Sequence, residues 1–426
     1  MTASFFSRIG SSNAYEKTLQ NISYRQSSLA ELQENLTSGK KVLRSSDDPT
    51  GAALAERALT RINRVTADQR ALEAQRNAMA TAESTLGEVT DRLQEFRELV
   101  IQAGNGSYSA SERNIIGKQL TSLREHILNL SNRNDSNGMP LFGGLGSDIN
   151  PFVGASALPT DYTFKGLPGQ TASTISSIPY ALDGDSAFMF HAARDGIYNV
   201  KVADNTGSGG ITAPRTLSTD TVSVTNPALV TESSYAIAIT SVGAGATAGT
   251  LTATYTITET TAAGVTGAPS APIVAPDYAA SSPLAITGMP GISLNISGTL
   301  AVGDSIQVNH KPSLFSSLDD AIRDIGSAVN GNGASQAIRQ SLNAIDAGLN
   351  RVMAVRGQAG ELLNRADRIT ESNSKLNIEL ESNRSRAEDL DMIKGISDFQ
   401  NQQTGYQAAL QSYAQVQKLS LFDYIR

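Results

Sequence analysis

The chain has 426 residues, a formal net charge of −7, no cysteine, no tryptophan and three histidines. That length leaves room for two or three domains with ample core. Without cysteine there are no disulfides, thiolate metal sites or thiol catalysis, and His126, His191 and His310 supply few groups for acid–base work near neutral pH. Residues 1–150 carry 17 basic and 17 acidic side chains and residues 305–426 carry 13 and 14, whereas 151–304 carry 4 and 10. Balanced, interspersed charge is the solvated face of long helices. No basic stripe follows a phosphate backbone, so no nucleic-acid partner is expected. Aromatic residues make up 5% of the chain, a thin supply for the walls of a ligand pocket, and the reading is of a non-enzyme with no cofactor and no metal.

The stretch Met1–Gly10 lacks the apolar core of a secretory signal, so export without a cleaved signal is expected. A first helical zone starts near Asn13, with Tyr15, Leu19, Ile22, Leu29 and Leu36 at heptad positions and Gln26 and Gln33 as polar interruptions. Gly39 followed by Lys40 and Lys41 reads as a helix C-terminus, and Asp48-Pro49 as an N-cap and first helical residue. The second helix is predicted from Pro49 to about Ala103. Val65, Leu72, Met79, Leu86, Leu93 and Val100 recur along it every seven residues, the spacing that keeps one seam facing a partner helix. Ser109 or Ser111 starts another helix, striped by Ile116, Leu120, Leu123, Ile127 and Leu130. A polar turn over Asn132–Gly138 then leads to Leu141-Phe142-Gly143-Gly144.

From about residue 165 the character changes. Residues 205–300 hold five charged side chains, and short alternating runs recur: Tyr235/Ile237/Ile239, Leu251/Ala253/Tyr255/Ile257 and Ile292/Leu294/Ile296, with Ile306 and Val308 as a returning strand. Such alternation predicts half-buried strands of a small β-rich domain, and it reads the charge-free run 233–258 as sheet rather than membrane span. The triplets Gly184-Asp185-Ser186 and Gly303-Asp304-Ser305 resemble an esterase nucleophile but have no supporting histidine motif. Asp183 and Asp185 lack the rest of a calcium loop, Gly207–Gly210 lacks the lysine of a phosphate loop, and His126 reads as structural.

The helical pattern resumes at Leu314 and holds nearly to Arg426, with Val355, Leu362, Ile369 and Leu376 again seven apart. The fold class expected is therefore α+β: a long antiparallel coiled-coil helical rod formed by both chain ends, carrying a β-rich central head domain. Three zones are expected, with terminal coiled-coil segments over 1–45 and 385–426, rod over 46–164 and 312–384, and head over 165–311.

The segment Leu36-Thr37-Ser38-Gly39-Lys40, continuing through Ser45-Ser46-Asp47-Asp48-Pro49 to Ala53, resembles the N-terminal signature of the bacterial flagellin and hook-associated family. Asn129–Asn132 and Leu141–Gly144 resemble that family's next shared element. The ending Leu421-Phe422-Asp423-Tyr424 is nearer its hook-associated members than flagellin. The opening Met1–Gly10 departs from the usual start. The resemblance spans about the first 150 and last 110 residues and implies a structural subunit that joins hook to filament, with the filament-forming flagellin as the alternative. It implies an extracellular place in the flagellum after export through the flagellar type III apparatus. The implied partners are other copies of the chain, a hook-associated protein on the hook side, flagellin on the filament side and an export chaperone, with no membrane. On this resemblance Tyr15, Leu19, Ile22, Leu29, Leu36, Leu410, Tyr413, Val416, Leu419 and Leu421 form the assembly interface. Ser38, Gly39, Lys40, Ser45, Ser46, Asp47, Asp48 and Pro49 form the family loop.

Overall fold

A computed structural model describes residues 11–105, 108–154, 161–203, 217–279, 281–326 and 331–424, of which 11–15, 110, 331–333 and 416–424 are described by their backbone alone. The seven-residue repeats form helices, as spacing dictates. Helix α1 runs Ser11–Ser38, α2 Pro49–Ala103 and α3 Ala110–Ser131; after the head come α6 Leu314–Gly326, α7 Gly331–Glu388 and α8 Met392–Tyr424, with short helices α4 Gly184–Phe188 and α5 Ala192–Asp195 between. The predicted span of α2 matches at both ends. Helix α3 begins at a capping box, where Ser109 Oγ accepts from the Glu112 amide and the Glu112 carboxylate accepts from the Ser109 amide. The helical pattern that holds from Leu314 nearly to Arg426 is broken after Glu388. There Asp391 Oδ1 accepts from the amides of Ile393 (3.0 Å) and Lys394 (3.1 Å), starting a new helix with its own N-cap.

Contacts divide the chain into two compact units, one of residues 1–70 with 370–426 and the other of 71–369. In the first, α1 and α8 pair antiparallel. Two glycines of α8 lie at close contacts: a β-carbon at Gly395 would lie 2.9 Å from Leu390 Cδ2 and 3.2 Å from Leu36 Cδ2, and one at Gly405 would displace the end of the Arg25 guanidinium. Glycine inside a helix costs about 1 kcal/mol relative to alanine.

In the second unit, α2 and α7 run antiparallel, registered by Arg76–Asp367 (3.0 Å), Glu83–Arg356 (2.7 Å) and Arg97–Asp346 (2.8 Å). Exposed pairs of this kind contribute at most about 1 kcal/mol each, so they set register more than stability. The seam residues Leu72, Met79, Leu86, Leu93 and Val100 share one core with Ile116, Leu120 and Ile127 of α3, Leu318 and Ile325 of α6 and Val352, Val355 and Ile369 of α7. The short strands β1 (Phe152–Val153) and β2 (Thr163–Phe164) pair beside an aromatic cluster in which the Phe142, Phe152, Phe188 and Phe315 rings lie 5.2–5.7 Å apart. The Leu-Phe-Gly-Gly sequence is explained here. Phe142 is fully buried, and Gly144, at φ +63°, passes so close to the Leu167 carbonyl that no side chain fits.

Among the described residues the head is two antiparallel sheets. Strands β3 (Tyr198–Ala203), β6 (Ser234–Ala244), β7 (Thr250–Thr260), β8 (Ile273–Val274), β9 (Tyr278–Ala279) and β12 (Ser305–His310) form one, in the order β3-β12-β6-β7-β8 with β9 also on β7. Strands β4 (Ser218–Thr219), β5 (Ser223–Val224), β10 (Leu284–Ile286) and β11 (Ile292–Ser297) form the other, with β4, β5 and β10 all paired to β11. Each alternating run points its predicted residues inward. Tyr235, Ile237, Ile239, Ala253, Tyr255, Ile257, Ile292, Leu294, Ile296, Ile306 and Val308 are all buried in one core, and Leu251 packs against it half-buried. Strand β12 is more than a returning strand, since it lies between β3 and β6 and pairs with both.

The head is fastened to the helices through side chains. Gln336 and Gln340, one turn apart on α7, both donate to the Val200 carbonyl (2.9 and 3.0 Å), while Gln340 accepts from the Val200 amide (3.1 Å) and Gln336 from the Thr219 amide (3.3 Å). Two glutamines thus stand where a neighbouring strand would, closing the edge at β3 and β4. Arg351 holds Asp195 through Nε (2.8 Å) and Nη2 (2.6 Å), with the carboxylate only 5% exposed.

Candidate assembly interface

The family loop is built from helix-end chemistry. Gly39, at φ +72°, ends α1, and its carbonyl accepts from the Leu390 amide (2.9 Å) while the Lys41 amide donates to the Glu388 carbonyl (2.8 Å). Lys40 pairs with the Glu388 carboxylate, and Lys41 Nζ donates to the Arg386 carbonyl (2.7 Å), so both lysines serve the C-terminal end of α7. Ser38 Oγ accepts from the Lys40 amide (3.3 Å). Asp47 accepts from the Arg44 amide (2.8 Å), the Leu43 amide (3.3 Å) and Ser46 Oγ (3.1 Å). The Arg44 amide is the largest influence holding its carboxyl below the ordinary range. Asp48 Oδ1 caps α2 through the Thr50 (3.0 Å) and Gly51 (2.9 Å) amides, with Pro49 in the first helical position. Ser45 is exposed and, with Leu43, Pro49, Leu59 and Arg384, lines a groove beside the loop. Gly51 is required: a β-carbon there would strike the Asp48 carboxylate and lie 3.2 Å from the Ala387 carbonyl.

The outer seam is only partly closed. Ile22, Leu29 and Leu36 of α1 and Tyr413 of α8 are half-buried, but Leu19 and Leu410 remain 41% and 40% exposed. Gln26 and Gln33 point to solvent, and Arg25 Nη1 donates across the pair to Gln402 Oε1 (3.2 Å). The side chains of Tyr15, Val416, Leu419 and Leu421 lie outside the described residues. Sequence reasoning missed Arg25, Gly395, Gly405, Glu388 and Asp391. The two glycines in an otherwise helical run, and an aspartate two residues before Ile393, were the signals available.

The other motifs resolve into structure. Ser186 Oγ donates to Asp183 (2.7 Å), which caps α4, while His191 Nε2 lies 2.9 Å from Asp185, so serine and histidine engage different carboxylates. Asp304 closes a turn through the Ala301 amide (2.8 Å), with Gly303 at φ +91°. His126 is exposed on α3. Gly207–Gly210 lies outside the described residues. Among the described residues no three acidic or histidine side chains converge as a metal site, and no helix is long and apolar enough to cross a membrane.

Residues 9–147 match the bacterial flagellin N-terminal helical region and residues 342–425 the bacterial flagellin C-terminal helical region. Over 153 residues the chain is 30% identical to flagellar hook-associated protein 3 of Salmonella typhimurium, covering 34% of this chain and 46% of that protein. Flagellin 1 of Proteus mirabilis is 30% identical over 139 residues, covering 33% and 38%. The chain thus spans less than half the length of these curated relatives. The crystal structure of flagellar hook-associated protein 3 from Legionella pneumophila superimposes with a TM-score of 0.58 at 23% identity, covering 78% of this chain and 98% of that one, which is a likeness of fold. With its two helical ends matched over just more than half of its residues, the chain belongs to the bacterial flagellin and hook-associated family.

Proposed function

We propose that the chain is the structural subunit joining hook to filament in the bacterial flagellum, building a helical array through its outer helices. The carrying observation is the contrast between an α2 seam fully buried from Leu72 to Val100 and an outer pair that leaves Leu19 and Leu410 some 40% exposed, surface that neighbouring copies would cover. A subunit that meets the next through different surfaces, without ring closure, extends as a helix. The likeness to hook-associated protein 3 and the ending Leu421-Phe422-Asp423-Tyr424 favour the junction over the filament role.

In this reading the segments 1–45 and 385–426 are the assembly zone, 46–164 with 312–384 the rod and 165–311 the head. The interface comprises Tyr15, Leu19, Ile22, Leu29, Leu36, Leu410, Tyr413, Val416, Leu419 and Leu421. The loop from Ser38 to Pro49 fixes the turn between α1 and α2. Its neighbours are a hook-associated protein on one side and flagellin on the other, reached after export with a chaperone, and it performs no catalysis. Deleting the gene distinguishes this from the filament role. The expected outcome is hooks without filaments and flagellin shed into the medium; filaments assembled normally on hooks would overturn the assignment.

A further inference from the structure

A small cavity lies where the edge of the head meets α6 and α7, away from the loop and the outer helices. It measures about 20 Å³, and its polar lining is Asn199, Lys311, Ser317, Asp320, Gln340 and Ser341. All of these except Lys311 are under a tenth exposed. The hydrogen bonds around it leave a definite pattern of unused capacity. Asn199 Nδ2 donates to Asp324 (2.9 Å), which fixes the amide's orientation, and its Oδ1 is buried with no protein partner among the described residues. Ser317 Oγ donates to the Ser313 carbonyl (3.1 Å) and Ser341 Oγ to the Ala337 carbonyl (2.7 Å), so both hydroxyls have committed their protons and keep their lone pairs. Gln340 is used at both ends by Val200. Lys311 Nζ lies 2.9 Å from Asp320 Oδ2 as an ion pair without making a hydrogen bond to it, so Asp320 Oδ2 is a second buried acceptor with no hydrogen-bond partner among the described residues.

We propose that this cavity is a hydration site holding one ordered water, which donates to Asn199 Oδ1 and to a serine hydroxyl and accepts from the Lys311 ammonium. Three observations select water. The volume fits about one molecule and nothing larger. Acceptors surround the space beside the Asp320 carboxylate, which excludes an anion, and the Lys311 ammonium in the lining excludes a cation. Leaving a buried acceptor without a donor is destabilising, so a bridging water stabilises the joint. The water is the last link in the fastening that Gln336 and Gln340 begin, tying β3 to α6 and α7. The inference stands independently of the flagellar role.

The test is a crystal structure of the full chain at a resolution where ordered waters are visible, together with one pair of variants. The expected result is an isolated density peak within hydrogen-bond distance of Asn199 Oδ1 and Lys311 Nζ. A cavity without density, or an Asn199 amide turned onto a protein partner, would overturn the proposal. Ala344 also lines the cavity. Ala344→Val should displace the water and lower the unfolding midpoint further than Ala354→Val, an exposed substitution on the same helix with the same propensity cost. An Ala344→Val chain as stable as that control, or more so, would mean that methyl groups fill a dry void, and the site would be rejected.

Discussion

Leu72, Met79, Leu86, Leu93 and Val100 of the inner helices have no exposed surface, whereas Leu19 and Leu410 of the outer pair are 41% and 40% exposed. The sequence spacing is the same in both zones. What differs is the cover: the inner seam shares its core with α3, α6 and α7, while among the described residues α1 packs chiefly on α8. A heptad names the face of a helix that seeks cover and says nothing of how many helices supply it. The inner zone finds its cover within one chain. The outer zone is completed, on the reading proposed above, by other chains.

The largest effect should separate the zones directly. Leu86→Ala removes a fully buried side chain and should cost about 3 kcal/mol in chemical unfolding, whereas Ile22→Ala, half-buried, should cost under about 1 kcal/mol. Equal losses would erase the distinction. Next in size, Asp48→Ala deletes the α2 cap and should cost about 1 kcal/mol. Asp48→Asn, which keeps the acceptor, should recover most of it.

A smaller effect lies in pH. Burial pushes the Asp161 carboxyl up to about 6 from its ordinary 3.8, so the folded chain holds that proton more tightly than the unfolded one. Its stabilisation is full below the ordinary value and is lost as pH rises through about 6. Burial pushes His310 the other way, to about 4 from 6.5; its stabilisation is present above 6.5 and lost as pH falls through about 4. The two slopes oppose each other over that interval. Asp161→Asn should therefore raise stability above neutral pH by about 1 kcal/mol or less, given the partial exposure of the carboxyl. It should also leave a chain that weakens steadily on acidification. Equal melting curves for the two chains across the range would refute this.

Much of this architecture was legible in the residues. Pro49 and Gly104 bracket a helix because one presets its first turn and the other ends it, and each alternating run in the head found its core. The loop signature was legible because caps are local chemistry. The closure of the head edge was not: Gln336 and Gln340 sit in α7 as ordinary polar residues, and only the fold brings Val200 and Thr219 to them. The break after Glu388 was masked for the same reason, since Asp391 caps a helix only where the chain turns to meet Gly39 and Lys41. The extent of exposure along the outer seam is likewise set by how the chain folds, which a single sequence does not display.

The most direct test of the two-zone account is removal of Leu410–Arg426, followed by the unfolding of the purified chain and its incorporation into flagella in cells. The account predicts that the inner zone unfolds at an unchanged midpoint while incorporation is lost. Normal incorporation of the shortened chain, or collapse of the inner zone on its removal, would contradict it.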